Sequence, residues 1–342
     1  MSDVFILGAG FSKAISDAMP VLNDLSVEVK KRLPELEKVA AFLPDDIEVW
    51  LTFLSQRHPW LSEAANSRNH ALLFEVSEIV QTVLVERMRE PLGKTRPDWL
   101  SDLVTLWNKN ASPVLTLNYD TLVERCACEI SRIKTVMWSV GYSEKESVSA
   151  RLYPIPLTPT WQRSVGRRGH SGDPASLLSL FKLHGSTNWF YSGAPNANDE
   201  TIYFLPATAW TVDDPSERAG AGTYPDKVPF IVPPLIEKLP FLGNALIRSL
   251  WAQAGSALRN ASRIFCLGYS LPETDITMRF FLQSNTPQKA VPFFLVNKPN
   301  ATDPHLVARF RSLSKDRYEI NDHFLFDDNP IPALVKELLH GI

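Results

Sequence analysis

Short runs of consecutive apolar residues recur along the chain, and stretches with helical spacing separate them. Each run has the length and the continuous hydrophobicity of a strand that is covered on both faces. Runs of this kind lie at residues 4–7, 113–117, 177–183, 263–268 and 292–296. The alternation of strands and helices predicts an α/β fold, with a Rossmann-type three-layer parallel sheet.

A long helical stretch separates the first two predicted strands. Apolar residues recur there every three or four positions, which predicts helices at residues 25–33, 45–56, 69–89 and 98–109. We therefore predict that residues 34–110 form a helical insertion between the first two strands of the sheet.

The second half of the chain has a less regular pattern. Residues 139–176 are rich in proline, serine, glycine and arginine, which predicts long connections or a flexible lid. Shorter strands are predicted at residues 189–191, 202–205, 229–232 and 318–320, and helices at 241–261, from 273 onward, at 303–313 and at 331–339. We predict that residues 1–342 form a single domain.

The composition excludes several classes of protein. A chain of 342 residues with 44% hydrophobic and 21% charged residues is typical of a soluble globular protein. A net charge of −3 gives no reason to expect direct nucleic-acid binding or attachment to an anionic membrane. No apolar run approaches the ~18 residues that span a bilayer, and the N-terminus lacks the pattern of a signal sequence. Three cysteines do not make a disulfide framework, so we predict a cytoplasmic protein.

The turn after the first strand carries a chemical signal. Gly8 and Gly10 end the strand, and glycine lets the backbone approach the phosphates of a ligand. A helix predicted to start near Ser12 would add N–H groups that favour anions. The alternative is an ordinary turn, because a short glycine motif is weak evidence. Lys13 replaces the third glycine of the dehydrogenase fingerprint, so hydride transfer is not expected.

Polar residues also follow other predicted strands. Asn118 and Asp120 follow the second strand, and His184 follows the strand at 177–183. Open parallel sheets bind ligands beside the carboxyl ends of their strands, so these residues lie where a site would form. Each has a structural alternative: Asp120 could cap the next helix, Asn118 could close a turn, and a lone histidine is more often structural. Histidine is nevertheless the side chain suited to proton exchange near neutral pH.

These strand ends form an ordered series of motifs. The series is Gly-Ala-Gly-Phe-Ser at 8–12, Asn-Tyr-Asp at 118–120, Lys-Leu-His-Gly-Ser at 182–186, Gly-Tyr-Ser-Leu-Pro-x-x-Asp at 268–275 and Val-Asn at 296–297. Its order resembles that of the sirtuins, and most closely the sirtuin-like (Sir2-like) NADase domain of bacterial anti-phage defence proteins. The resemblance covers most of the chain.

The resemblance implies that the chain binds NAD and cleaves the bond between nicotinamide and ribose. Asn118 matches the asparagine beside the nicotinamide ribose and the attacking water. His184 matches the histidine that contacts the ribose hydroxyls and acts as the base. The other candidate NAD-binding residues are Gly8, Ala9, Gly10, Phe11 and Ser12 in the pyrophosphate loop, Gly268 and Ser270 in a second phosphate-side turn, Asn297 beside the adenosine ribose, and Asp120 by the nicotinamide pocket.

The cysteines depart from the pattern of sirtuin deacetylases. Those enzymes carry a four-cysteine zinc module, whereas this chain has only Cys126, Cys128 and Cys266. Cys126 and Cys128 are two positions apart on a predicted helix, so they point to different faces. We therefore predict that the chain has no zinc module and needs no metal. Without the deacetylase features, water becomes the expected acceptor.

The leading hypothesis is therefore an NAD+ hydrolase that releases nicotinamide and ADP-ribose and depletes NAD during phage infection. Two alternatives stay open, a non-catalytic sensor of NAD or ADP-ribose and an ADP-ribosyltransferase. An unrestrained NADase would harm its own cell, so we predict control by assembly, through a homo-oligomer or a partner defence subunit such as an ATPase. Insertion tryptophans could anchor such an interface, although the core is the simpler place for most of them. They are Trp50, Trp60, Trp99 and Trp107.

Overall fold

A computed structural model describes most of the chain. The described residues are 2–39, 41–130, 155–157, 178–191, 202–205, 207, 209–214, 227–236, 243–298, 304–313 and 316–341. Apart from 155–157, the predicted lid at 139–176 lies outside them, as do the first residues of the helix predicted at 241–261 and the first residue of the one predicted at 303–313.

The strands confirm the predicted alternation. In chain order they are β1 (Ser2–Leu7), β2 (Pro113–Thr116), β3 (Ile155–Leu157), β4 (Ser179–Lys182), β5 (Gly185–Tyr191), β6 (Ile202–Phe204), β7 (Val228–Ile231), β8 (Ala261–Leu267), β9 (Val291–Val296) and β10 (Tyr318–Asn321). Six of them form one sheet in the order β10-β9-β8-β1-β2-β4. All its neighbours pair in parallel. Counted along the chain, this is the 3-2-1-4-5-6 order of Rossmann-like folds.

The carboxyl ends of the central strands lie level with one another. Leu7 pairs with Thr116 on one side and with Leu267 on the other. Thr116 in turn pairs with Lys182, and Leu267 pairs with Val296. The residues that follow these strands therefore leave the sheet at one edge, which places the polar strand ends together.

Aromatic side chains fill one side of the sheet centre. The rings of Phe5 and Phe265 stack with centroids 5.0 Å apart, and Phe265 stacks on Phe294 at 4.8 Å. Trp107 from the insertion contacts Phe5 at 5.4 Å. Burial of each aromatic side chain stabilises the fold by roughly 1.5–3 kcal/mol. These strands are apolar because helices cover the sheet.

At least one helix lies between each two consecutive strands of the parallel sheet. They are α1 (Ala9–Ile15), α2 (Leu22–Arg32), α3 (Pro34–Val39), α4 (Ile47–Ser55), α5 (Glu63–Leu92), α6 (Asp98–Lys109), α7 (Leu122–Ile130), α8 (Ala245–Arg259), α9 (Ile276–Ser284), α10 (Leu306–Arg311) and α11 (Pro330–His340). The helix α5 is longer than predicted because the Ser62 hydroxyl caps it by accepting from the Ala65 amide at 3.2 Å. No helix among the described residues combines the length and the apolarity needed to cross a bilayer.

A second sheet differs from the prediction. Strands β3, β6, β5 and β7 pair antiparallel in that order. The short strands predicted at 189–191, 202–205 and 229–232 lie in this separate sheet, whereas the one predicted at 318–320 is β10 of the parallel sheet. Leu183 and His184 form a turn after β4, and β5 starts directly at Gly185, which has a φ of +80°. Pattern alone does not show which sheet a short strand joins.

Candidate functional site

A cleft opens at the carboxyl edge of the parallel sheet, at the ends of β1 and β8. The next strand of the sheet after β1 lies on one side of this pair, and the next strand after β8 lies on the other side. Its volume is about 1120 Å³. Open α/β sheets bind ligands at this switch point. The predicted site residues that line the cleft are Gly8, Ala9, Gly10, Ser12, Asn118, Asp120, His184, Gly268, Ser270 and Asn297. The level strand ends therefore bring every predicted site residue except Phe11 to one cleft.

Phe11 lies elsewhere. Its side chain is fully buried. The ring meets Trp99 edge-on at 5.7 Å and lies 6.1 Å from Trp107. The side chain therefore packs α1 against α6, and its prediction as a cofactor-binding residue is corrected to a packing role. An apolar residue directly after a glycine turn can face either way, so the sequence did not decide this.

Asn118, Ser12 and Asp120 form one hydrogen-bonded chain at the floor of the cleft. The Asn118 amide nitrogen donates to the carbonyl of Gly8 and to Ser12 Oγ, each at 2.9 Å. Ser12 Oγ donates to Asp120 Oδ2 at 2.5 Å. Because the Gly8 carbonyl can only accept, the nitrogen of the Asn118 amide must face the loop. The Asn118 side-chain oxygen is then the atom that can accept from a ligand or a water.

Asp120 has the capping role that the sequence left as an alternative. Its Oδ1 accepts from the Leu122 amide at 3.1 Å, at the start of α7. The other carboxylate oxygen holds Ser12. Asp120 therefore orients the loop and the helix together, and it supports Asn118 through Ser12.

A buried ion pair lies beneath this loop. Lys182 Nζ is 2.7 Å from Glu124 Oε1, and both side chains are almost fully buried. The same ammonium donates to the carbonyls of Tyr119 and Asp120. Burial raises the pKa of the Glu124 carboxyl, and the positive charge of Lys182 opposes that rise. The Lys182–Glu124 pair therefore supports the 118–120 loop. The sequence signal for this buried pair was a lysine in the last position of an apolar strand.

His184 is fixed by its backbone and by two aromatic rings. Its carbonyl accepts from the Val232 amide at 2.9 Å. The imidazole lies near the rings of Tyr119 and Trp251, with centroids 6.4 and 6.1 Å away. The Tyr119 hydroxyl donates to the Val232 carbonyl at 2.7 Å. Burial raises the pKa of Tyr119 well above its ordinary value, so this phenol stays protonated and serves as a donor.

The glycine loops after β1 and β8 pack backbone against backbone. The Gly8 amide donates to the Leu267 carbonyl at 3.0 Å, and the Gly10 amide donates to the Gly268 carbonyl at 2.8 Å. The Phe11 amide donates to Gly8 at 2.9 Å. Three amides of this loop are thus used within the protein, so it offers a phosphate fewer donors than its sequence predicts. The glycines are needed first for contact between the two loops.

We predict that Gly268→Ala disrupts this contact. Gly268 has a φ of +66°, and a Cβ there would lie 2.1 Å from the Phe11 nitrogen and 2.3 Å from the Gly10 carbonyl carbon. Backbone atoms cannot give way cheaply, so the loss in unfolding free energy should exceed about 3 kcal/mol. Gly341→Ala is the matched control, because Gly341 has a φ of +84° with open space around it. The control should lose only about 1 kcal/mol in urea unfolding. Equal losses in the two variants would contradict the packing argument.

The insertion contributes a wall of the cleft that the sequence did not reveal. Glu48 on α4 lines the cleft although it is buried, and its carboxylate accepts from the Thr274 hydroxyl. Thr52 on the same helix accepts from the Ile236 amide at 2.9 Å. On the facing loop, the Tyr269 hydroxyl donates to Asp275 at 2.6 Å. The insertion therefore forms part of the candidate site and is not only a cover for the sheet.

The cysteines lie in environments that suppress their reactivity. Burial raises the pKa of Cys126 and of Cys128 to about 12, and it raises the pKa of Cys266 as well. Thiols with such pKa values are poor nucleophiles at neutral pH, since the thiolate is the reactive form. Within the described ranges, no group of three or more histidine, cysteine or carboxylate side chains is arranged to hold a metal ion.

We predict that the native chain reacts slowly with a thiol reagent at pH 7 and contains no stoichiometric zinc. Absorbance at the reagent's product wavelength and elemental analysis measure the two properties. The chain unfolded in guanidinium is the control, and all three cysteines should react there. A native thiol that reacts as fast as free cysteine, or zinc at one equivalent, would contradict the prediction.

No protein-family model matches the chain. No curated protein matches it with significant sequence similarity.

Proposed function

We propose that the chain is an NAD+ hydrolase that cleaves the nicotinamide–ribose bond. The observation that carries the proposal is the placement of Asn118 and His184. They follow the neighbouring strands β2 and β4, and both line the cleft that holds the two glycine loops. The sirtuin-like order of motifs supplies the substrate class, and the geometry supplies groups suited to that reaction.

The proposed reaction needs little from a nucleophilic side chain. The bond between C1′ of the ribose and the ring nitrogen breaks, and its electron pair neutralises the nicotinamide ring. The ribose carbon becomes cationic, and a water oxygen adds to it. The water loses one proton on attack, and His184 is the group proposed to accept it. Such acid–base participation contributes about 10²–10⁴ in rate.

Asn118 is proposed to orient the water. Its amide nitrogen is bound to Gly8 and Ser12, so its oxygen can accept a hydrogen bond from that water. A water that donates to this oxygen turns its lone pair toward the ribose carbon. Correct placement of a reactant removes much of the entropic part of a barrier. The Asp120–Ser12 contact would keep the amide in this orientation.

The cellular role is also a proposal. An NADase of this kind would deplete NAD in the cytoplasm as an anti-phage effector, held inactive until it assembles into a homo-oligomer or binds a partner defence subunit such as an ATPase. Of the four insertion tryptophans, Trp50 and Trp107 are buried and Trp99 packs against the core. Trp60 is 73% exposed. Among these four, Trp60 is therefore the tryptophan best placed to contact a partner.

Product analysis tests the enzymatic proposal. Purified chain is incubated with NAD+, with and without candidate partners and across protein concentration, and nicotinamide, ADP-ribose and cyclic products are separated by chromatography. Equimolar nicotinamide and ADP-ribose would support hydrolysis. Tight NAD binding without cleavage under every condition would favour the sensor. Nicotinamide release with ADP-ribose attached to a protein or nucleic acid would favour the transferase.

A further inference from the structure

The cleft spans the place between β1 and β8 where the strand order of the sheet reverses. A dinucleotide bound there therefore has a defined orientation along the sheet edge. Asn118 and His184 follow β2 and β4 on one side of β1. Asn297 follows β9 on the other side, with the glycine loops of β1 and β8 between them. If the nicotinamide ribose lies at Asn118 and His184, the adenosine lies by Asn297. This step rests on the proposed function.

An exposed lysine lines the adenosine end of the cleft. Three lysines line the cleft, namely Lys13, Lys94 and Lys298. Lys13 pairs with Asp24 at 2.8 Å, and Lys94 pairs with Glu90. Lys298 is exposed and directly follows Asn297, and it has no ion pair within the part of the chain that the structure describes.

A second cation stands at the same end. The Arg309 guanidinium donates to the Ser270 carbonyl through Nε at 3.3 Å and through Nη2 at 2.9 Å. Ser270 itself is exposed and lines the cleft. The Asn297 amide nitrogen donates to the Tyr269 carbonyl at 2.9 Å, which fixes Asn297 beside the same loop. Asn297 and Arg309 therefore both bind the 269–270 loop, and Lys298 directly follows Asn297.

We propose that this end of the site binds a 2′-phosphate, so that NADP+ is a substrate together with NAD+, and that Lys298 determines this specificity. Dinucleotide sites selective for NAD hold the adenosine ribose with a carboxylate, whereas sites for NADP place a basic side chain there. The charged residue next to Asn297 is a lysine, which fits the second class. The alternative is that the Lys298 ammonium binds the pyrophosphate, which NAD+ and NADP+ share.

Binding measurements separate these two sources of phosphate. Calorimetry compares NAD+ with NADP+ in full-length His184→Ala, where turnover is expected to be suppressed, and adenosine 2′,5′-bisphosphate with AMP in the wild type. Lys298→Ala should lower the ratio of NADP+ to NAD+ affinity by about tenfold, the size of one charge-assisted hydrogen bond. Lys289→Ala is the matched control, since Lys289 is exposed and does not line the cleft. The ratio of NADP+ to NAD+ affinity in the Lys289→Ala variant should equal that of the His184→Ala parent.

The outcomes distinguish the two proposals. Equal losses for NAD+ and NADP+ in Lys298→Ala would assign the lysine to the pyrophosphate and overturn the inference. Cleavage of NAD+ with no binding of NADP+ would also overturn it, while the proposed hydrolase stands. Preference for the bisphosphate over AMP through Lys298, without cleavage of either dinucleotide, would support the phosphate site and overturn the hydrolase.

Discussion

His184→Ala should reduce NAD cleavage by about 10²–10⁴-fold, because it removes the proposed base. Asn118→Ala should lose activity to a similar extent, since the water loses its acceptor and Ser12 loses a donor. Initial rates of nicotinamide release measure both effects. Each variant should still unfold cooperatively, because neither side chain belongs to the apolar core.

The matched control for the histidine is His340→Ala, an exposed position at the end of α11. It should keep the full rate. A rate close to that of the wild type in His184→Ala would remove His184 from the mechanism. Loss of cleavage together with loss of folded protein, seen by circular dichroism, would count against a catalytic role and in favour of a structural one.

Lys182→Met should be the most destabilising of the polar substitutions. It leaves the Glu124 carboxyl buried without its counter-charge and frees two carbonyls of the 118–120 loop. Breaking a buried pair in this way costs about 3–5 kcal/mol of unfolding free energy. Urea unfolding measures the loss. Lys13→Met is the control, because it breaks a pair whose side chains are 37% and 48% exposed and should cost about 1 kcal/mol or less.

The loss in Lys182→Met should depend on pH in a definite direction. Burial raises the pKa of Glu124 in the folded chain, so the folded variant binds a proton that the unfolded chain releases. Stability then falls as the pH rises above the ordinary carboxyl pKa toward neutrality, and it recovers in mild acid. The double variant Lys182→Met, Glu124→Leu removes the buried charge and should regain much of the loss. A loss independent of pH and unrepaired in the double variant would contradict this account.

The sequence was sufficient for the parallel sheet and for most of the cleft. Apolar runs located its strands, and the level ends of parallel strands then brought Asn118, His184 and Asn297 to one edge. The direction of Phe11 could not be predicted, because it depends on the tryptophans of a helix about 90 residues further on. Glu48 was missed for the same reason, since its place in the cleft depends on how the insertion folds back onto the 268–275 loop.

The direct contact between the loops after β1 and β8 has a consequence for the synthesis of the protein. Residue 10 meets residue 268, so the first strand can pair with β2 early but waits for most of these 342 residues before its other neighbour, β8, exists. Contacts this distant in sequence form late and slowly. A nascent chain on the ribosome that stops before β8 has neither the second glycine loop nor Asn297. Proposed as an enzyme that destroys NAD, the protein would then be harmless to its cell until β8, the second glycine loop and Asn297 have been synthesised.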